Sequence, residues 1–401
     1  MFINQVRHFF LRSSTQASRP IIWLIGFFAF LNVYSMQAVL PMVMADFHAS
    51  PVQAGLTVGA TVLAIALVSP FMGMLSDAVG RKVIVCVSMF ALTIPTALIA
   101  RADNLDTLIQ LRFLQGLAVP GIVVVLIAYI GEEFHAGGGV ARMTANYVGG
   151  TVMGGFCGRF ITGHAGDLVG WRGAFVTLAI LNLFGAVLVT WRLPPSRHFI
   201  SNRNMGAALG TLWRHLHHKR LIAACAVGFC VLFSLVGAFT YVNLHLSAAP
   251  FFLTTAGLAN VFCVYLVGVL VTPLTGRYIA RLGFLNSLLG ALSISAAGLL
   301  MTLIPSLVTV IVGLTVCSTG VFICQSITIS SISQNVSEGR SLATGLYYMS
   351  YYAGGAAGTL VAGIAYQGWG WTGSVLAIVL MQAVAVAIAT VVWKQPTNRG
   401  N

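Results

Sequence analysis

The sequence predicts an all-α membrane protein of twelve transmembrane helices in two pseudo-symmetric halves of six, and three observations predict it. Of 401 residues, 58% are hydrophobic and only 7% charged, whereas about a quarter of the residues of a soluble domain are charged. Apolar runs of about twenty residues, the length that crosses roughly 30 Å of hydrocarbon, recur twelve times. A long stretch of the first half also returns in the second at a constant offset, the mark of an internal duplication.

The first six runs cover about 20–45, 54–75, 83–101, 105–130, 140–165 and 171–192, and the second six about 221–246, 254–275, 284–303, 307–331, 341–365 and 371–393. The first follows Arg7, Arg12 and Arg19, has no small-residue cleavage site behind it, and reads as a retained helix rather than a signal peptide. The polar connector after Arg192, from LPPSRHF to WRHLHHKR, divides the chain into a six-helix half 1–192, a cytoplasmic linker 193–220 and a six-helix half 221–401. His215, His217 and His218 in that linker have no Cys or carboxylate partners at ligand spacing and read as a basic surface segment. The seven cysteines all fall inside apolar runs, without metal-ligand spacing, and read as small packing residues. No metal or cofactor is expected.

Orientation follows from the bases, because Lys and Arg accumulate in cytoplasmic loops. With both termini inside, only Arg101 and Arg172 of the 21 Lys and Arg fall on the outer side, while Arg112 and Arg159 lie within runs. The net charge of +13 is therefore a topological signature and does not call for nucleic acid.

The repeat is plainest where YVGGTVMGGFCGRFITGHAGDLVGWRGAF (147–175) lies over YYMSYYAGGAAGTLVAGIAYQGWGWTGSV (347–375), pairing Tyr147 with Tyr347, Trp171 with Trp371, and six glycines with six glycines. GMLSDAVGRKV (73–83), between the second and third runs, has a worn counterpart in GRYIARLGF (276–284), where Ala280 replaces the acid. Asp77 precedes a helix start and Arg81, both of which favour a carboxylate. Gly73 would allow close packing at the end of the second helix. A solvated, topogenic loop would account for Arg81 and Lys82 but not for Asp77.

These residues give the chain its resemblance to the major facilitator superfamily of secondary transporters. Within it, the chain is similar to the twelve-helix drug/proton antiporter group and, more closely, to bacterial YnfM-like inner-membrane transporters. LIQLRFLQGLAVPG (108–121) matches the family's helix-4 motif, an embedded Arg112 followed by Gln115 and Gly116. The helix-5 antiporter motif is altered: GTVMGGFCGR has Gly155 in the proline's place and Arg159 in that of the last Gly, while Gly150, Gly154 and Gly158 still leave one helix face bare for a neighbour. The resemblance implies rocker-switch alternating access and a bacterial inner-membrane location. It also implies a latch of Gly73, Asp77, Gly80 and Arg81 that closes the cytoplasmic side against the eleventh helix.

Ionisable residues inside a bilayer are functional candidates. Arg112 and Arg159 either face a cavity or snorkel to the outer headgroups. No acid sits at mid-membrane, so proton coupling would fall to Asp46, coupled to Arg112, or to His245. Candidate cavity residues are Asn32, Tyr34 and Gln37 on the first helix, Gln115 on the fourth, Tyr241 and Asn243 on the seventh, Gln325 on the tenth, and Tyr347, Tyr348, Tyr351 and Tyr352 on the eleventh, the tyrosines being equally what an interfacial belt would hold. The function expected is proton-coupled efflux of small amphipathic neutral or anionic compounds by a monomer, with uptake by symport or facilitation as the alternative. A membrane-embedded enzyme or sensor is disfavoured, because the runs hold no paired acid and base, no activated nucleophile and no metal cluster, and the chain has no soluble signalling domain.

Overall fold

The computed structural model describes residues 19–134, 139–196, 213–335 and 340–393. Arg7, Arg12, Arg197, Arg203, Glu338, Lys394, Arg399 and most of the 193–220 linker lie outside the described residues.

The first run is two helices, α1 (Arg19–Leu31) and α2 (Met36–Asp46), joined by a turn. Pro41 in α2 has no N–H to offer the Gln37 carbonyl one turn before it. Across the turn the backbone pairing shortens: Gln37 donates to Tyr34 and Ala38 to Ser35, three residues back rather than four. Then follow α3 (Pro51–Val79), opened by a Ser50/Gln53 capping box, α4 (Arg81–Ile99) and α5 (Leu105–Glu133), capped by Asn104.

A 54-residue helical stretch, α6 (Gly139–Arg192), completes the first set, with non-helical backbone at Val169 and Gly170. Straight, it would run about 80 Å at 1.5 Å per residue, far more than a bilayer, so the break divides it into two spans. Gly170 carries a φ of +74°, which a side chain would resist.

The second set opens with α7 (Lys219–Ser247). The eighth run is cut into α8 (Thr255–Val261), a 3-10 segment (Phe262–Leu266), α9 (Val267–Val271), a second 3-10 segment (Thr272–Leu274) and α10 (Thr275–Leu282). Next come α11 (Phe284–Met301), α12 (Leu307–Asn335) and α13 (Arg340–Trp393), again 54 residues, broken at Trp369 and Gly370. Ser374 donates back across that break to the Ala362 carbonyl, closing the hairpin. The duplication thus reaches the backbone: Gly170 and Gly370 break equivalent helices, and Gly80 and Gly283, both at positive φ, turn the chain into α4 and α11.

The chain packs as two compact units, one of Met1–Asn204 with Phe239–Leu266, the other of Met205–Ala238 with Val267–Asn401. The segment Phe239–Leu266 of the second sequence half therefore belongs to the first unit. In each unit a glycine ladder sets a helix pair in backbone contact. A Cβ added at Gly150, Gly154 or Gly158 of α6 would stand 2.0–2.1 Å from the carbonyl oxygens of Trp23, Phe27 and Leu31 in α1. At Gly354 and Gly358 of α13 it would stand 2.0 and 2.4 Å from those of Phe229 and Phe233 in α7. With Gly155 in place of proline, α6 runs through this ladder unbroken.

Candidate functional site

The first unit holds both embedded guanidinium groups, and neither reaches for a rim: Arg112 is 0% and Arg159 1% exposed. Arg112, on α5, is held by the turn that interrupts the first helix. Its Nη2 donates to the Val33 carbonyl at 2.7 Å, its Nη1 to the Asn32 carbonyl at 3.0 Å and to Gln115 Oε1 at 2.5 Å, and its Nε to the Thr57 carbonyl at 2.9 Å. Gln115 Nε2 in turn donates to Thr96 at 2.7 Å, and Thr61 donates to the Arg112 carbonyl at 2.9 Å. The guanidinium supplies the donors that the shortened turn withholds, the way irregular backbone is tolerated at membrane depth.

The expected pairing of Asp46 with Arg112 gives way to a different one. Asp46 ends α2 and takes Arg172 Nη1 at 2.5 Å and Trp171 Nε1 at 3.1 Å, while Arg172 Nη2 donates to the Ala102 carbonyl at 3.0 Å. The reason is position: Asp46 lies more than two turns beyond the Asn32–Ser35 turn that Arg112 occupies, beside the break in α6.

Arg159 has a different environment. Its Nε donates to Gln37 Oε1 at 2.8 Å and its Nη1 to the Gly155 carbonyl, one turn back, at 2.6 Å. Around it stand three aromatic rings, Tyr34 at 4.7 Å, Phe262 at 4.8 Å and Tyr265 at 4.4 Å. Gln37 Nε2 continues to Thr240 of α7 at 2.9 Å. Among the described residues no carboxylate pairs with Arg112 or Arg159; both charges rest on carbonyl dipoles, amides and ring faces. Asn32 Nδ2 and, on α7, Asn243 Oδ1 are buried with no hydrogen-bond partner. Tyr241, also buried in this unit, donates to the Pro51 carbonyl at 3.4 Å, and His245, half-buried, meets Phe251 edge-on at 5.3 Å.

The second unit carries the remaining candidates. Gln325 is half-buried on α12. On α13, Tyr347 stacks on Tyr351 at 5.6 Å and Tyr348 on Tyr352 at 6.1 Å. Tyr347, Tyr351 and Tyr352 are buried and Tyr348 half-buried, so the group lies in the interior rather than in an exposed belt.

At the opposite end from Asp46, Arg81 is buried and not solvated as a plain loop would leave it. It pairs with Asp77 at 2.5 Å and Glu132 at 2.6 Å and contacts Ser76. Ser196 donates to Glu132 at 3.2 Å and to Glu133 at 2.9 Å. Within its own unit, and among the described residues, a Cβ added at Gly73 would meet nothing within 4 Å. Gly80 matters for its backbone, at φ +114°. Phe262, Tyr265, Thr240, Thr57 and Thr96 carry no motif in the sequence, and Glu132 reads there only as an acid at a span end; the three-residue spacing of Phe262 and Tyr265 in an apolar run is the one further signal.

A duplicated chain of membrane-spanning helices, with a broken first helix and buried cations beside it, is built as a transport protein. The chain belongs to the Major Facilitator Superfamily, whose family model matches residues 22–339. It is 30% identical over 381 residues to the uncharacterised transporter YybF of Bacillus subtilis, covering 94% of each chain. It is 29% identical over 391 residues to the inner membrane transport protein YnfM of Escherichia coli, covering 97% of this chain and 94% of that one. The crystal structure of a bacterial homolog of the human lysosomal transporter Spinster, inward-facing and unoccupied, superposes with a TM-score of 0.76 at 16% identity, over 94% of this chain and 96% of that one. The fold is accordingly the twelve-helix, two-half fold of that superfamily.

Proposed function

We propose that this protein is a secondary active transporter that works by rocker-switch alternating access and exports small amphipathic organic compounds, neutral or anionic, in exchange for protons. The observation that carries the reading is the pair of buried guanidiniums with which no carboxylate among the described residues pairs. A cation entering beside Arg112 and Arg159 would give up its hydration and meet positive charge, whereas an anion would find charge-assisted donors. The unpartnered Asn32 and Asn243 amide atoms support a polar solute path in the same unit. The distribution of Lys and Arg supports a cytoplasmic location for both termini and the 193–220 linker. The cluster of Asp77, Arg81 and Glu132 is then a cytoplasmic latch, one partner richer than the loop motif alone, and Asp46, held by Arg172, and His245 are the candidates for proton coupling.

The test is flux of carboxylate, neutral and quaternary-ammonium solutes of matched lipophilicity in everted and right-side-out vesicles, with and without a pH gradient. Gradient-driven accumulation of carboxylates in everted vesicles is the expected result. Accumulation in right-side-out vesicles would make the protein an uptake symporter, and gradient-driven export of quaternary cations would overturn the reading of the site.

A further inference from the structure

We propose that Arg159 is the anchor for the carboxylate of a planar aromatic solute, and that the solute competes for it with the rings of Phe262 and Tyr265. The proposal rests on the transport reading and names its solute. Arg159 is 1% exposed, yet among the described residues its hydrogen-bonding edge meets neutral acceptors, Gln37 Oε1 and the Gly155 carbonyl. A carboxylate is a stronger, bidentate partner for that edge than an amide oxygen. The guanidinium carbon lies over the faces of three rings at 4.4–4.8 Å, an aromatic setting that favours a solute whose body is itself a flat ring able to lie beside Tyr34.

The two rings that would give way sit on the least regular part of the unit. Phe262 and Tyr265 belong to a 3-10 segment whose hydrogen bonds are poorer than those of an α-helix, so the segment can shift at small cost. They also pack on Phe239 of α7, at 5.9 and 4.4 Å, and Gln37 holds Thr240 next to it. Taking Arg159 from its cage therefore loosens α7 and the 3-10 segment together, which ties solute binding to a change in the Phe239–Leu266 segment.

The probes are 1-naphthoate, its uncharged analogue 1-naphthamide, and cyclohexanecarboxylate, which keeps the charge and loses the flat ring. Binding is measured by calorimetry on the purified full-length protein. We expect naphthoate to bind about tenfold more tightly than either of the others. Arg159→Gln should bring naphthoate and naphthamide within about twofold of each other, and the pair Phe262→Leu with Tyr265→Leu should tighten naphthoate about fivefold by removing its competitors. A native reporter covers the case of a variant that does not fold: Cys263 is exposed within the same 3-10 segment. Its alkylation rate in the wild-type protein, read by peptide mass spectrometry, should change severalfold with naphthoate and not with naphthamide. Equal binding of naphthoate and naphthamide, a preference that survives Arg159→Gln, or a Cys263 rate indifferent to naphthoate would each overturn the proposal. Naphthoate bound at Arg159 without gradient-driven flux would instead remove the transport reading and leave the anchor standing.

Discussion

Gly158→Ala is the most direct test of how the first unit is assembled. The added carbon would stand 2.0 Å from the Leu31 carbonyl oxygen, where carbon and oxygen need about 3.3 Å even in close backbone contacts. Neither partner is a flexible side chain that could swing aside, so α6 and α1 must separate by about 1 Å along the ladder. Overpacking of this kind costs about 3 kcal/mol at the upper end of its usual range, which lowers the unfolding midpoint of a chain of this length by about 4 °C. Thermal unfolding of the purified protein in detergent, followed by fluorescence, reads the shift. Gly154→Ala should match it, and so should Gly354→Ala in the repeat, where the carbon meets the Phe229 carbonyl at 2.0 Å. Gly155→Ala, facing only Arg159 Nη1 at 3.5 Å, and Gly73→Ala, facing nothing, are controls expected to leave the midpoint unchanged or raise it slightly. An unshifted midpoint in Gly158→Ala would refute the backbone contact.

Arg112→Lys should lower the folded yield in size-exclusion chromatography, because an ammonium lacks the planar fork that spreads donors over the Asn32, Val33 and Thr57 carbonyls and Gln115, and each stranded buried acceptor costs about 1–3 kcal/mol; a wild-type yield would deny it the role of holding the turn. Asp77→Asn should leave insertion intact but reduce flux and increase labelling from the cytoplasmic side, since it removes one charge from Arg81; unchanged flux at equal expression would make the stretch a topogenic loop. Cysteines at Ser201 and Asn104 should label from opposite faces of the membrane, and labelling of Ser201 from the periplasm would invert the topology.

Much of the fold was legible because bilayers impose length and composition on every span, and because the Gly170/Trp171 and Gly370/Trp371 pairs mark the same break twice. The fragmentation of the eighth run was legible only in part: Pro273 marks the second 3-10 segment, while the apolar pattern gives no sign of the one at Phe262–Leu266. Of the site, the sequence exposed Arg112 and Arg159 by their cost in lipid, and Asn32, Tyr34, Gln37 and Gln115 as buried polar candidates, but not which of them pair. Arg112 binds main-chain carbonyls, which every residue owns and no residue type advertises. Arg159 is caged by rings from a distant run, and Gly73 resembled a packing glycine while facing open space.

The cage of Arg159 also sets an order of events during synthesis. Asn32, Val33 and Thr57 all precede Arg112, so its main-chain acceptors are made before it arrives. Phe262 and Tyr265 follow Arg159 by 103 and 106 residues, about 5–20 s of elongation. For that interval a cation that costs about 2.5–3.5 kcal/mol to insert has Gln37, Tyr34 and its own helix for company. The first six helices, taken alone, are thus an unfinished product, closed only when the ribosome has passed Leu266.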